Sequence, residues 1–400
     1  MLPVSTRIFI AAILFRLFSA FVAFLANVTI APLQDQGFTM LERAHPFWDT
    51  FARYDAGWYH GIASQGYVFA AGGRNNLAFF PLYPMLMRAG GTLLGSQQQD
   101  FYFAGIVVSW LAFACAMVML YKLARLDLDE RSAERAVVYA ALFPFAYFFG
   151  VVYSESVFFL ALVSTAYAFR TRRWGWAALA GAAMTATRVT GVMALPGLAW
   201  IAWRATRRAS LKQPGSQLAS PKHSEGGPKP PEGALNAALA VVGCAAGIGL
   251  YSVYNYTLSG SPFAWYDAIT HWNYAPGHNP FTMVLAVLHA LVTRPVNYLS
   301  EPMAPYDTLN TLAATASLAL VPRVWKRFGF GYALIVLGGM LLPLSSGQLE
   351  GLGRYASVQF PIALALAGMA GEARHHVLLA AFGMLYAVCL TLFVTVRPLF

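Results

Sequence analysis

The chain has 400 residues, of which 58% are hydrophobic and only 11% charged, and its formal net charge is +10. A soluble domain carries about 25% charged residues, so this composition excludes one large water-soluble core and points to a polytopic membrane protein. The positive balance does not signal nucleic acid, because no basic-aromatic patch or nucleic-acid motif accompanies it; in membrane proteins Lys and Arg mark the inner loops.

In chain order, the opening MLPVSTRIFIAAILFRLFSAFVAFLANVTIA exceeds a signal-peptide core and reads as a first spanning helix, 6–31, that stays attached. Further apolar stretches predict spans at 101–122, 135–152, 156–171, 174–188, 190–204, 235–257, 307–322, 328–346, 355–371 and 375–396. The expectation is an all-α fold with about eleven transmembrane helices. Segments 77–95 and 282–300 are apolar but interrupted by Pro and Arg, and are expected to be interfacial or re-entrant. Residues 1–205 form an N-terminal half carrying a long first outer loop, about 32–100. Residues 206–234, rich in Pro, Gly, Ser and Lys, read as a flexible inner linker to a second half, 235–400.

With the N-terminus inside, 18 of the 27 Lys and Arg fall in inner loops and 8 outside, with Arg16 inside the first span. That bias sets the orientation. Cys115, Cys244 and Cys389 lie in apolar segments without pairing or metal spacing and read as small buried hydrophobes. The absence of an evident internal repeat speaks against inverted-repeat transporters.

The outer side collects the unusual residues. RYDAGWYHGIASQGY (53–67) is followed by NNLAFFPLYP (75–84), and FFGVVYSESVFF (148–159) places Glu155 at a tight turn between two spans. ATRVTG (186–191) holds Arg188 between two short helices, EGLGRYASVQFP (350–361) starts a span with Arg354, and HWNYAPGHNP runs over 271–280. Ionisable groups at membrane depth are costly, so each is a functional candidate. Each also has a plainer role. Asp55 would be a solvated acid or a partner of Arg53, and Glu155 would cap its helix. Arg188 and Arg354 would snorkel to headgroups, and His60 and His271 would be loop hydrogen-bonders. No His and carboxylates show tight ligand spacing, so no metal site is expected. The four elements that hold Asp55, Glu155, Arg188 and Arg354 all fall on the side selected only by counting basic residues, which favours the functional reading.

Tyr54-Asp55, Trp58-Tyr59, Ile62-Ala63, Gly66-Tyr67, the run from Ala78 to Pro84, YSES (153–156), TRVTG (187–191) and GRYASVQFP (353–361) occur in an order and spacing that resembles the PIG-V-like family. That family includes the second mannosyltransferase of GPI-anchor assembly and bacterial relatives. Tyr54 stands where the family usually has Trp. A Trp-Asp pair occurs at Trp48-Asp49, which makes Asp49 the alternative catalytic carboxylate; the spacing to the following WY and GY favours Asp55.

The resemblance implies a GT-C glycosyltransferase whose site faces the periplasm or lumen. Its donor would be a polyprenyl-phosphate sugar rather than a nucleotide sugar, in keeping with the lack of a glycine-rich nucleotide fingerprint, and no further cofactor is expected. The acceptor would be a hydroxyl of a glycan, glycolipid or protein. In such a reaction Asp55 is the expected base, with Glu155 orienting the acceptor. Arg188 and Arg354 would bind the donor phosphate, and Trp58, Tyr59, His60 and Tyr83 would contact sugar or acceptor. Single displacement would invert the anomeric centre and turn a β-linked mannosyl phosphate into an α-mannoside. The alternatives are another sugar donor, or a lipid-linked sugar transporter; the latter would place paired charges near the bilayer midplane, where only Arg16 lies. The Ala/Gly-rich composition and missing retrieval tail lean toward a bacterial inner membrane with a periplasmic site.

Overall fold

The computed structural model describes residues 2–33, 45–70, 72–210, 233–272, 274 and 277–399. Among these residues the regular structure is helical, with no strand. Helix α1 (Val4–Thr29) is rich in Ile, Leu, Phe and Ala, carries Arg7 and Arg16 among them, and ends where Ile30 turns extended. The outer loop then carries α2 (Pro46–Asp49), α3 (Ala56–Gln65), a 3-10 turn (Asn76–Ala78) and α4 (Leu82–Leu94). Helix α5 (Gln98–Ala124) opens with a capping box, in which the Gln97 N–H donates to Asp100 Oδ2 at 2.9 Å.

The expected span 135–152 is not one helix. Helix α6 (Glu130–Leu142) stops because Pro144 forces Phe143 out of helical backbone, and the chain continues as a 3-10 turn (Ala146–Phe149) and bends before α7 (Glu155–Arg170). Helices α8 (Trp174–Thr185) and α9 (Thr190–Ser210) follow. Helix α9 runs through 206–210, so the expected linker starts later than its composition implied; 211–232 lie outside the described residues.

Helices α10 (Ala234–Cys244) and α11 (Ala246–Ser259) are nearly continuous, and α12 (Ala264–His271) caps the outer side. The 282–300 segment splits at Arg294–Pro295 into α13 (Thr282–Thr293) and α14 (Pro295–Leu299). Helices α15 (Ala304–Ala319), α16 (Val321–Phe328) and α17 (Phe330–Leu344) lead to a second correction. The expected span 355–371 is broken at 358–359, ahead of Pro361, into α18 (Leu352–Ser357) and α19 (Phe360–Ala367). Helix α20 (Glu372–Val394) ends the helical order.

Helix is found within each expected span, broken in 135–152 and 355–371. Among the described residues, four stretches are long and apolar enough to cross a membrane: Val4–Thr29, Gln98–Ala124, Ala234–Ser259 and Glu372–Val394. The chain is an integral membrane protein. Its helices approach closely where side chains are small. A Cβ on Gly197 would lie 2.4 Å from Gly331 O, so α9 and α17 cross backbone to backbone.

The two ends of the bundle differ. Helix α7 carries Glu155 at one end and Arg170 at the other, about 22 Å away at 1.5 Å per residue. At the Arg170 end, its guanidinium holds Asp127 bidentately at 2.7 and 2.8 Å and donates to the Tyr332 hydroxyl at 2.9 Å. Arg135 and Arg131 reach Glu372 at 2.5 and 2.9 Å, and Arg327 donates to Gly368 O at 2.9 Å. The basic loops therefore gather at one end, away from Glu155. Between the ends, Arg16 is buried; it donates to Ala146 O at 3.1 Å and lies 3.8 Å from the centre of the Phe113 ring. Cys244 and Cys389 are buried as expected, but Cys115 is exposed on the flank of α5.

Candidate functional site

The first outer loop is anchored through Arg53. Only 1% exposed, its guanidinium donates to Asp49 Oδ2 at 2.7 Å, Asn27 Oδ1 at 3.1 Å and Val394 O at 3.0 Å. Asp49 is thus consumed in a buried pair, and the expectation of an Arg53–Asp55 pair fails. The next residue, Tyr54, has φ +49°, a left-handed conformation that bulky residues rarely adopt. Its hydroxyl donates to Arg397 O at 2.7 Å; nearby, Tyr147 donates to Leu399 O at 2.7 Å and the Leu33 N–H to Thr395 O at 3.0 Å. Residues 394–399 thus form a strap that fixes the backbone immediately before Asp55. The Asp55 N–H donates to the Tyr153 hydroxyl at 3.2 Å.

The four ionisable groups singled out from separate loops meet here. Arg354 Nη1 donates to Asp55 Oδ2 at 2.7 Å. Arg354 Nε and Arg188 Nη1 both donate to Glu155 Oε1. The result is a row of alternating charge: Asp55, Arg354, Glu155, Arg188. Arg354 also lies 4.6 Å from the centre of the Tyr153 ring, and Arg188 5.0 Å from that of Tyr355. The turn presenting Arg354 depends on glycine. A Cβ on Gly353 would sit 2.3 Å from the Phe145 ring, and its N–H donates to the buried Asn310 Oδ1 at 2.9 Å.

Above this row lies a cavity of about 540 Å³. Asp55, Arg188 and Arg354 line it, and the Asp55 side chain is 22% exposed. Trp58 forms part of an aromatic wall, stacked on Phe79 (5.7 Å, 9°) and edge-on to Trp272 (5.0 Å, 83°). Tyr59 also lines the cavity; its hydroxyl is 2.9 Å from Ser154 Oγ, and burial pushes the phenol up to about 12.

Other expected residues stand elsewhere. Glu155 is 0% exposed and does not line the cavity; its carboxylate is taken by the two arginines rather than by its own helix end or an acceptor. Tyr83 is buried behind Tyr59, its hydroxyl donating to Gly105 O at 3.1 Å. His60 stacks on Tyr102 at 4.1 Å and bonds Gln98 O at 2.9 Å, outside the cavity lining. His271 bonds Asp267 O at 2.7 Å. Arg188 and Arg354 do not snorkel; they point into the cluster.

Among the lining residues that the sequence does not single out as site residues are Arg74, Trp272 and Glu350. Arg74 lies 4.8 Å from the centre of the Trp272 ring. Burial, and after it the charges of Asp55 and Asp307, push the Glu350 carboxyl up to about 7, against the opposing pull of Arg354 and Arg74. Trp272 lies in the quoted HWNY segment and Glu350 opens the quoted EGLGR, whereas Arg74 has no sequence signal. Among the described residues, no three His, Cys, Asp or Glu side chains converge as metal ligands would.

Residues 80–220 match the family described as Dolichyl-phosphate-mannose-protein mannosyltransferase. In fold, the chain is similar to ArnT from Cupriavidus metallidurans, solved bound to undecaprenyl phosphate, with a TM-score of 0.50 and 14% identity over 95% of this chain and 64% of that one. The chain therefore spans just under two thirds of that protein. Archaeal oligosaccharyltransferase AglB from Archaeoglobus fulgidus, in complex with an inhibitory peptide and a dolichol-phosphate, superposes with a TM-score of 0.44 at 13% identity over 96% of this chain and 56% of that one. No curated protein matches in sequence. Among the described residues the architecture is all-helical, with a GT-C-like fold.

Proposed function

We propose that the chain is a membrane-embedded GT-C glycosyltransferase that moves a mannose from polyprenyl phosphate to a hydroxyl acceptor by inverting single displacement. The site faces the periplasm of a bacterial inner membrane. The observation that carries this reading is the charge row Asp55–Arg354–Glu155–Arg188 under an aromatic-walled cavity. The family match over 80–220 supports mannosyl transfer, and a lipid-phosphate ligand in a protein of similar fold supports the donor class.

In this mechanism the acceptor hydroxyl reaches Asp55, which takes the proton as the new bond to the anomeric carbon forms. The bond from that carbon to the phosphate oxygen breaks, and its electron pair stays on the phosphate. The guanidiniums of Arg354 and Arg188 face that developing charge. Arg354 touches both ends of the reaction, since one of its nitrogens holds Asp55 and another holds Glu155. Glu155 is a positioning residue that keeps both arginines aimed. Trp58, with Phe79 and Trp272, offers flat apolar faces to the sugar. Arg74 adds a third cation to the lining.

The test is mannosyl transfer from polyprenyl-phosphate mannose to a membrane acceptor extract by purified wild type and Asp55→Asn. The variant is expected to stay folded and to lose about 10²–10⁴ in rate. Equal transfer by both would remove Asp55 from the chemistry. Transfer from a different polyprenyl-phosphate sugar, but not from mannose, would keep the reaction and change the donor.

A further inference from the structure

At the basic end of the bundle, beyond the crossing of α9 and α17 at Gly197 and Gly331, a second cavity of about 980 Å³ opens between these helices and the turn joining α16 to α17. It shares no lining residue with the site around Asp55. Five cationic side chains line it: Arg170, Arg172, Arg204, Lys326 and Arg327. The single carboxylate in the lining, Asp127, is already held on both oxygens by Arg170. Arg204 and Lys326 are exposed and form no hydrogen bond or ion pair among the described residues. Five aromatic rings, Trp200, Trp325, Phe328, Phe330 and Tyr332, make up most of the rest of the lining. Trp200 and Trp325 pack on Phe330 at 5.2 and 5.4 Å, and Trp325 remains 56% exposed.

Like charges crowded around a cavity repel one another unless an anion sits among them. Tryptophan beside Lys and Arg is the pairing found where hydrocarbon meets water, and basic pockets between membrane helices take anionic headgroups. A small soluble anion would gain from the cations and nothing from the aromatic rim; a lipid uses both. We infer that this cavity binds the phosphate headgroup of an anionic membrane lipid from the leaflet opposite the candidate active site. The proposal stands whether or not the outer site transfers sugar.

The test measures binding of phosphatidylglycerol to purified full-length protein in neutral detergent by native mass spectrometry. Phosphatidylcholine and inorganic phosphate serve as competitors. Wild type is expected to retain phosphatidylglycerol against excess phosphatidylcholine and against inorganic phosphate. Arg204→Gln/Lys326→Gln changes two exposed side chains and is expected to weaken retention about thirtyfold, roughly fivefold for each cation removed. Arg294→Gln, an exposed charge whose partner is Glu301 at 3.0 Å, should leave it unchanged. Equal retention of phosphatidylcholine, displacement by inorganic phosphate, or unchanged binding in the double variant would each overturn the proposal. The competition arms use wild type alone, so the conclusion does not hang on a variant folding.

Discussion

Glu155→Gln removes the carboxylate that Arg188 and Arg354 share while keeping almost the same volume. Glu155 itself is closed to water, at 0% exposure, so solvent cannot replace the lost charge at its position. Removing one partner of a buried ion pair costs about 3–5 kcal/mol. Here Arg354 keeps Asp55 as a partner, but Arg188 keeps only the face of Tyr355, so the loss should fall within that range rather than double it. Against a typical native stability of about 5–15 kcal/mol, this is large. Adding Arg188→Gln removes the stranded cation. The double variant should therefore be more stable than the sum of the two single losses by about 2 kcal/mol, within the range of coupled neighbours. Thermal unfolding in detergent, followed by tryptophan fluorescence, measures the stability terms, and transfer rate per folded molecule measures the aim of Arg354. A Glu155→Gln protein as stable as wild type, or strictly additive losses, would refute the reasoning that Glu155 is the charged hub of the site.

Asp49→Asn leaves the buried Arg53 without its carboxylate and should destabilise the fold by about 3–5 kcal/mol, with the transfer rate per folded molecule preserved; a well-folded but inactive Asp49→Asn would move the base there. The Glu350 carboxyl is neutral below about 7 and charged above it. Its charge, in a pocket it shares with Asp55, Arg74 and Arg354 and near Asp307, opposes an anionic donor, so donor KM should rise from pH about 6 to 8 in wild type and stay flat in Glu350→Gln. Because the folded value exceeds the ordinary 4.5, the folded state binds more protons, and stability should also fall between 4.5 and about 7 in wild type but not in that variant. Gly353→Ala would press a Cβ into the Phe145 ring, costing about 1–3 kcal/mol and displacing Arg354, which a parallel fall in transfer would report. Tyr83→Phe should lose about 1 kcal/mol of stability with transfer intact, since the ring stands behind the wall; a selective loss of sugar affinity would return Tyr83 to the site.

Long apolar stretches delimit their helices to within a few residues: 6–31 against Val4–Thr29, 101–122 against Gln98–Ala124, and 375–396 against Glu372–Val394. The misreadings at 135–152 and 355–371 share a cause. Phe and Val are equally apolar in a helix and in a buried turn, so hydropathy passed over the breaks that Pro144 and Pro361 impose. Asp55, Glu155, Arg188 and Arg354 were legible because charge at membrane depth is rare and all four fell on one side. Their pairing was not, since Asp55 and Arg354 are 299 residues apart. Composition also gives no direction to an aromatic loop: Trp58 turns to the cavity while Tyr83 and His60 pack away from it.

The strap over residues 394–399 gives the candidate site a timetable. A ribosome adding about 5–20 residues per second needs roughly 15–60 s to travel from Asp55 to Arg354. It must go further still before Val394 and Arg397 arrive to hold Arg53 and Tyr54. Throughout that interval the nascent chain already has its first helices in the bilayer, among the lipids that would carry its donor. It has the acid without the cation that pairs with it, and the backbone before that acid has not yet been pulled into its left-handed turn. Assembly order thus makes the candidate site one of the last parts of the fold to close, since its contacts join the two ends of the chain.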